Sequence, residues 1–360
     1  MPRRPENDRE STAGRAATIR DVASRAGVSV ATVSRVLTGN YPVAAATRTK
    51  VLRAVRDLDY VVNAHARALA GNRSKTIAVL LSNLTSPFYN RIASGVEQQA
   101  MAEDRLCMVS TTGGDPEREV KLVEALREQN VDAVVLVGGV VDTPGYREHM
   151  ARLARLLDSA GSRLVVCGRP SPGENLPVTV VEYDNAGGAF AATGYLLSQG
   201  HRRILFIGGE TENTTTRDRL DGYRRAIRSY GVEEDPGLVI VGNHLPHFAY
   251  TELKKRLAAG PPDFTAVFAW DDHMAARALV ALREAGVSVP AEVSVIGYND
   301  EHEAQDVYPA LTTVSIPHME LGREAVRLAL HRDEAAAPNQ HVTLGTHIVL
   351  RDSVRPVIVR

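Results

Sequence analysis

Three consecutive residues, Asp271-Asp272-His273, come closest to a reactive cluster in this 360-residue chain. Two carboxylates and an imidazole can hold a metal or share acid and base duties. Adjacent positions at a helix start point different ways, however, and acidic side chains there also suit the helix dipole. The chain has no GxxxxGK[ST], no GxGxxG and no HExxH. Its Gly-Gly pairs at 113, 138, 187 and 208 follow strands or open helices, where tight turns need glycine. No catalytic residue, metal or cofactor is assigned, and the reading is of a protein that is not an enzyme. Cys107 and Cys167 lie in apolar runs and read as reduced core thiols without a disulfide framework.

Polar chemistry of another kind is concentrated near the N-terminus, in TIRDVASRAGVSVATVSRVL from Thr18 to Leu37. Thr18 with Asp21 forms a capping box for a helix that should end at Ala26, with Ile19, Val22 and Ala23 on one apolar face. Gly27 supplies a left-handed turn, Val28 fills the corner, and Ser29 caps a second helix whose Val33, Val36 and Leu37 face the first. This is a helix-turn-helix pattern. Its outer face carries Val30, Ala31, Thr32, Ser34 and Arg35, short side chains that let a helix enter a major groove and one long cation for a base edge or phosphate. A third helix, Thr47 to Leu58, would close the core with Val51, Val55 and Leu58. Thr47 is expected to cap it, because Ala44 has no capping group.

Charge supports nucleic acid as the partner of this end. Through Lys75 the chain holds 14 Lys and Arg against 6 Asp and Glu, which leaves the remainder acidic although the net charge is only −1. The first segment, MPRRPENDREST, lacks the apolar core of a signal peptide and reads as a disordered arm over 1–17. No run is long enough to span a membrane, so a cytoplasmic protein is expected.

From Thr76 onward short β-branched runs alternate with amphipathic stretches. Strands are read at 77–81, 106–110, 133–137, 164–167, 204–207, 238–241, 266–268 and 293–296, and helices at 88–103, 117–129, 146–159, 186–199, 219–229, 250–258 and 273–285. Such alternation predicts parallel sheets with helices on both faces, and there are too many units for one sheet. The expected fold is a small all-α headpiece plus two doubly wound α/β lobes with a crevice at the carboxyl ends of their strands.

Further signatures follow in order: Asp59-Tyr60, the run Asn63 to Gly71, Ser-Pro-Phe-Tyr at 86–89, Asp184-Asn185, Arg219 with Gly222-Tyr223, Val295-Ile296-Gly297-Tyr298, and Pro309 to Thr313. Together with the helix-turn-helix, this series resembles the lac repressor/galactose repressor family from Thr18 to about Arg355. The resemblance implies a headpiece over 18–62, a hinge over 63–74 whose Leu69 wedges into the minor groove, and a two-lobed effector and dimerisation domain over 75–360. The lobes would comprise about 75–183 with 316–345, and 185–314 with 346–360, the chain crossing near 183–185, 311–316 and 343–346. DNA contacts are expected at Thr18, Ser29, Val30, Ala31, Thr32, Ser34, Arg35, Tyr60, Asn63 and Leu69.

The resemblance also implies that Phe88 and Tyr89 wall an effector, Thr215 and Arg219 hold it from the second lobe, His244 and Asp271 line the side, and Asn299 clamps it opposite Arg219. Mixed carboxylate, amide, guanidinium and aromatic groups suit a sugar's hydroxyls and C–H faces. Asn299 stands where many relatives have Asp. Asn213 and Gly168 depart from the purine-responsive pattern, so a sugar is favoured over a nucleoside or purine. The implied protein is a homodimeric regulator, in the repressor mode, bound to a pseudo-palindromic operator. A sugar receptor without a DNA role is the alternative, and would need a signal peptide and no basic headpiece.

Overall fold

The computed structural model describes residues 17–38, 42–60, 74–331 and 340–357. The expected arm, and the hinge residues Asn63 and Leu69, lie outside these. Two compact units are present, Met1–Ser74 and Lys75–Arg360.

In the first unit, helix α1 spans Ile19–Ala26, α2 Val30–Thr38 and α3 Ala45–Asp57. The Asp21 amide donates to Thr18 Oγ1 at 3.4 Å while the Thr18 amide donates to Asp21 Oδ2 at 2.8 Å, so the capping box closes. Gly27 takes φ 67° and ends α1. Ser29 Oγ accepts the Thr32 amide at 3.1 Å and starts α2. Val22, Ala23, Val33, Val36, Val51 and Ala54 form the core, with Leu37, Val55, Leu58 and Tyr60 packed at its margin. The expected Thr47 cap is wrong: α3 begins two residues earlier, and its N-cap position is Ala44, which makes no side-chain cap bond. Alanine's high helix propensity carries that first turn instead.

The second unit holds two six-stranded sheets. Strands β1 (Thr76–Leu81), β2 (Leu106–Thr111), β3 (Ala133–Val137), β4 (Arg163–Cys167) and β5 (Val178–Tyr183) alternate with α4 (Pro87–Ala102), α5 (Pro116–Glu128) and α6 (Pro144–Ser159). The second lobe begins with α7 (Asn185–Ser198) and β6 (Ile204–Gly208), then α8 (Thr214–Ser229), β7 (Val239–Val241), α9 (Pro246–Ala258) and β8 (Ala266–Ala269). It continues with α10 (Asp272–Glu284), β9 (Ser294–Asn299), the short α11 (Glu303–Asp306) and β10 (Thr312–Ser315). Helix α12 (His318–Leu330), β11 (His341–Leu344) and β12 (His347–Val349) complete the chain. The sheet orders are β11-β5-β4-β3-β1-β2 and β12-β10-β9-β8-β6-β7. All pairs are parallel except β10 with β12. The chain passes from one sheet to the other after β5, between β10 and β11, and between β11 and β12. No helix among the described residues is long and apolar enough to cross a membrane.

The sequence reading omits β5, β10, β11, β12, α11 and α12. Strand β5 follows β4 with no helix between them, so a strict alternation passes over it, and the last two strands are only four and three residues long. Helices α8 and α9 start earlier than expected, at Thr214 and Pro246, because Asn213 caps the first and a proline opens the second. Leu238 belongs to a 3-10 turn, not to β7. Cys167 is buried, but Cys107 is only half-buried, since β2 is an edge strand.

Helices α4 and α12 cross at glycines. A Cβ at Gly95 would stand 2.1 Å from the Met319 carbonyl oxygen, and one at Gly322 would stand 2.2 Å from that of Ile92. Both obstacles are backbone and cannot swing aside. Replacing Gly322 by Val should therefore destabilise the second unit by about 3 kcal/mol through overpacking. A calorimetric melt that leaves its transition unmoved would contradict this packing.

Candidate functional site

The outer face of α2 presents Val30, Ala31 and Arg35 to solvent, with Thr32 and Ser34 half-buried. Ser29 and Thr32 pair through their hydroxyls at 2.9 Å. Thr18 is occupied by its capping box, and Tyr60 packs against the headpiece core with its amide donating to the Val55 carbonyl at 2.9 Å. These two serve local structure first. The exposed set is small and flanked by a cation, a shape that fits a major groove.

A crevice of about 680 Å³ lies between the two sheets of the second unit. Its walls come from the carboxyl ends of β1 to β5 on one side and of β6 to β9 on the other. All seven expected effector residues, Phe88, Tyr89, Thr215, Arg219, His244, Asp271 and Asn299, line it. They converge from five places, the start of α4, the first turns of α8, the loop after β7, the N-cap of α10 and the end of β9, because parallel strands deliver such ends to one edge.

Arg219 is only 1% exposed. Its Nε donates to Asn185 Oδ1 at 2.9 Å and its Nη2 to Asn299 Oδ1 at 3.0 Å and the Tyr183 hydroxyl at 3.3 Å, while Nη1 donates to the Trp270 carbonyl. Its guanidinium also stacks 3.6 Å from the centre of the Tyr298 ring. Arg219 and Asn299 thus do not oppose each other across the crevice as expected. Both belong to the second lobe, and the amide that replaces a carboxylate at 299 accepts directly from the guanidinium. Asn299 sits at φ 103°, a left-handed value that marks strain at the end of β9.

Tyr89 donates to Ser82 Oγ at 3.1 Å, and Phe88 lies edge-on to the rings of Tyr89, Tyr183 and His318. His244 Nε2 lies 3.1 Å from Thr216 Oγ1, and its ring meets Trp270 edge-on at 4.8 Å. Burial lowers the His244 pKa, which keeps it neutral. Asp271 caps α10 by accepting the Met274 amide at 2.7 Å, and burial pushes its carboxyl up to about 6.

The rest of the Asp-Asp-His run divides as its positions on a helix start require. Asp272, fully buried, accepts the Thr313 hydroxyl at 2.5 Å and the Glu301 amide at 2.8 Å. His273 Nδ1 lies 2.6 Å from Glu301 Oε2, and its Nε2 lies 3.4 Å from Glu303 Oε1. Those three side chains could hold a cation. The contact with Glu301 raises His273 to about 9, so the imidazole is protonated at neutral pH and itself supplies the positive charge.

Sequence reasoning missed a buried group on the first lobe. Arg169 Nη1 donates to both Glu119 oxygens at 3.0 and 3.2 Å and to the Tyr146 hydroxyl at 2.7 Å, while Nε and Nη2 hold the Gly138 and Val137 carbonyls at 2.6 and 3.2 Å. Only an arginine following a predicted strand signalled it. It was also silent on a strap between lobes. The Thr214 amide donates to the Val140 carbonyl at 3.0 Å, the Val140 amide donates to Thr214 Oγ1 at 3.2 Å, and Val141 bridges Asn213. Arg91 Nη1 donates to the Asp300 carbonyl at 3.0 Å as a further tie.

A helix-turn-helix unit followed by two parallel-sheet lobes around a polar, aromatic crevice defines a ligand-responsive regulator of transcription. Residues 18–63 match the model for bacterial regulatory proteins of the lacI family, and 193–354 match a periplasmic binding protein-like domain. The chain is 37% identical over 343 residues to the transcriptional regulator CelR of Thermobifida fusca, covering 93% of this chain and 98% of that protein. It is 32% identical over 342 residues to DegA of Bacillus subtilis (strain 168), with 94% and 98% covered. Among solved structures, a CelR–cellobiose complex superposes with a TM-score of 0.67 at 35% identity, covering 94% of this chain and 99% of that one. The lac repressor dimer bound to operator and the anti-inducer ONPF gives 0.78 at 25% identity, covering 95% and 100%. The chain belongs to the lacI family of bacterial regulatory proteins.

The pKa of His273 sets a pH dependence of stability. A base whose folded pKa lies above its unfolded value contributes fully below the unfolded value near 6.5 and loses that contribution as pH rises through about 9. The melting temperature of the second unit should therefore fall between pH 6.5 and 9.5 more steeply in the parent than in His273→Gln. Parallel slopes would remove the ion pair from the account.

Proposed function

We propose that this regulator is a homodimeric repressor of a pseudo-palindromic operator and that its effector is an uncharged sugar. The observation that carries the ligand class is the state of the crevice's cations. Its described lining residues hold three cations, Arg169, Arg219 and the protonated His273, and all are turned onto protein partners, the two guanidinium groups buried and the imidazole paired with Glu301 and Glu303. The lining acids, Asp115, Glu119, Glu210, Asp271 and Glu301, outnumber them. An anionic ligand would enter a negative field with no free cation to receive it. Hydroxyls and C–H faces suit the same walls, where Phe88, Tyr89, Tyr183 and Trp270 offer ring surface.

The relatives support this reading through a cellobiose complex and an operator-bound dimer. A dimer also suits the edge strand β2, where Leu106, Met108 and Val109 are exposed, with Met101 exposed at the end of α4. An uncovered apolar edge invites pairing with a second copy. Two headpieces supply the base contacts that one helix-turn-helix lacks. Residues 63–74 are proposed as the hinge, with Leu69 entering the minor groove, and the work as cytoplasmic. The reading is non-enzymatic, since Asp271, Asp272 and His273 are each engaged in a structural contact rather than arranged beside a nucleophile.

Effector control follows from linkage: a ligand gripped by both lobes stabilises one lobe arrangement, and that arrangement sets the spacing of the two headpieces. In gel-shift titration, Arg35→Ala should weaken operator binding by ~1–3 kcal/mol, and affinity should fall steeply with added salt. Unchanged affinity and a flat salt profile would sink the operator assignment.

For the effector, Phe88→Ala is a cleaner variant than Arg219→Ala, which would strip buried partners as well as ligand contacts. Calorimetry should show neutral sugars binding the parent and Phe88→Ala losing about tenfold or more, the scale of one lost ring contact. Binding of sugar phosphates or nucleotides in preference to neutral sugars would overturn the ligand class.

A further inference from the structure

The crevice is longer than its anchoring end. Its first wall takes Ser82, Thr112, Gly139, Arg169 and Tyr183, each at or just beyond the carboxyl end of a strand, and so runs across five neighbouring strands from β5 to β2. Four interstrand spacings make that about 19 Å. The opposite wall takes Asn299, Trp270, Glu210 and His244 from β9 through β8 and β6 to β7 in the same sense. Arg219, Tyr183 and Asn299 form a bonded group at the β5 and β9 end. The other end, at β2 and β7, has a different chemistry.

At that far end Gly113 and Gly114 have φ 70° and 78°, and nothing lies within 4 Å of where a Cβ would stand on either. Bare backbone there faces open space. Across from it stand the neutral His244 ring, edge-on to Trp270, and Leu245, which is 65% exposed although it lines the crevice. An exposed aliphatic side chain and a neutral ring facing a bare glycine pair give a pyranose C–H surface to stack on, and the neighbouring Asp115 and Glu210 carboxylates give its hydroxyls acceptors. A 1,4-linked pyranose chain advances by roughly one interstrand spacing per unit. A monosaccharide at Arg219 therefore leaves most of the groove unused, and a disaccharide stops short of the rim.

We propose that Gly113, Gly114, His244 and Leu245 form an outer saccharide subsite, and that the effector is a linear oligosaccharide of at least three units running from the Arg219 end to the β2 and β7 edge. The inference rests on the sugar reading above and extends it from ligand class to ligand length.

The test is calorimetry on the full chain with ladders of one to five units in the β-1,4-glucan, α-1,4-glucan and β-1,4-xylan series. One ladder should show affinity rising about tenfold or more between two and four units, and Leu245→Asp should abolish that rise. A second readout, operator release or retention in gel shifts, should follow the same length order. Affinity that is flat beyond one or two units, or a rise that Leu245→Asp leaves intact, overturns the outer subsite while the sugar reading stands. If no member of any ladder binds a protein that still holds its operator, the sugar reading falls and this inference falls with it.

Discussion

Burying a guanidinium obliges a fold to build donors' partners around it, and Arg219 imposes that obligation on the whole sensing unit. Its contacts reach Asn185 at the start of α7, Asn299 at the end of β9, the carbonyl after β8 and the hydroxyl at the end of β5 in the other lobe. One cation thereby fixes the relative places of four chain segments. Removing any partner leaves a charged group short of hydrogen bonds in a poorly solvated place, which is far costlier than losing one neutral contact. The crevice floor is consequently rigid before any ligand arrives.

The first lobe repeats the arrangement with Arg169, whose partners are Glu119, Tyr146 and the carbonyls of Val137 and Gly138, where β3 passes into the turn after it. That turn carries the strap to α8. Ligand sensing then has a firm base on either side and a few reversible ties between, the Val140–Thr214 pair and the Arg91–Asp300 contact among them. A bound molecule needs to bias only those ties, a small term compared with the hubs it touches.

Much of this was legible in the chain. The Thr18 box, Gly27 and the Val33–Val36 stripe encode the headpiece through local rules of capping and periodicity, and the structure places each as read. Family pattern put seven residues on one crevice although they are as far apart in sequence as Phe88 and Asn299. What sequence could not convey was pairing: that Arg219 meets Asn299 on its own lobe, that Arg169 lies under Glu119, or that Thr47 cedes the start of α3 to Ala45. Partners distant along the chain leave no periodic trace. Strand β5 escaped for a different reason, since it adjoins β4 without the intervening helix that the alternation demands.

The reciprocal glycines of α4 and α12 bear on how the lobes can move. Helix α12 enters the first lobe directly from β10 of the second, and its backbone is pressed against α4 too closely for any side chain to cushion the contact. Together with the passages after β5 and between β11 and β12, this leaves three short, neighbouring lengths of chain between two stiff bodies. Three pivots set side by side permit turning about one axis and resist sliding or twisting about others. The sensor has the geometry of a door on a hinge line, with its three crossings gathered on one side and its crevice opening on the other.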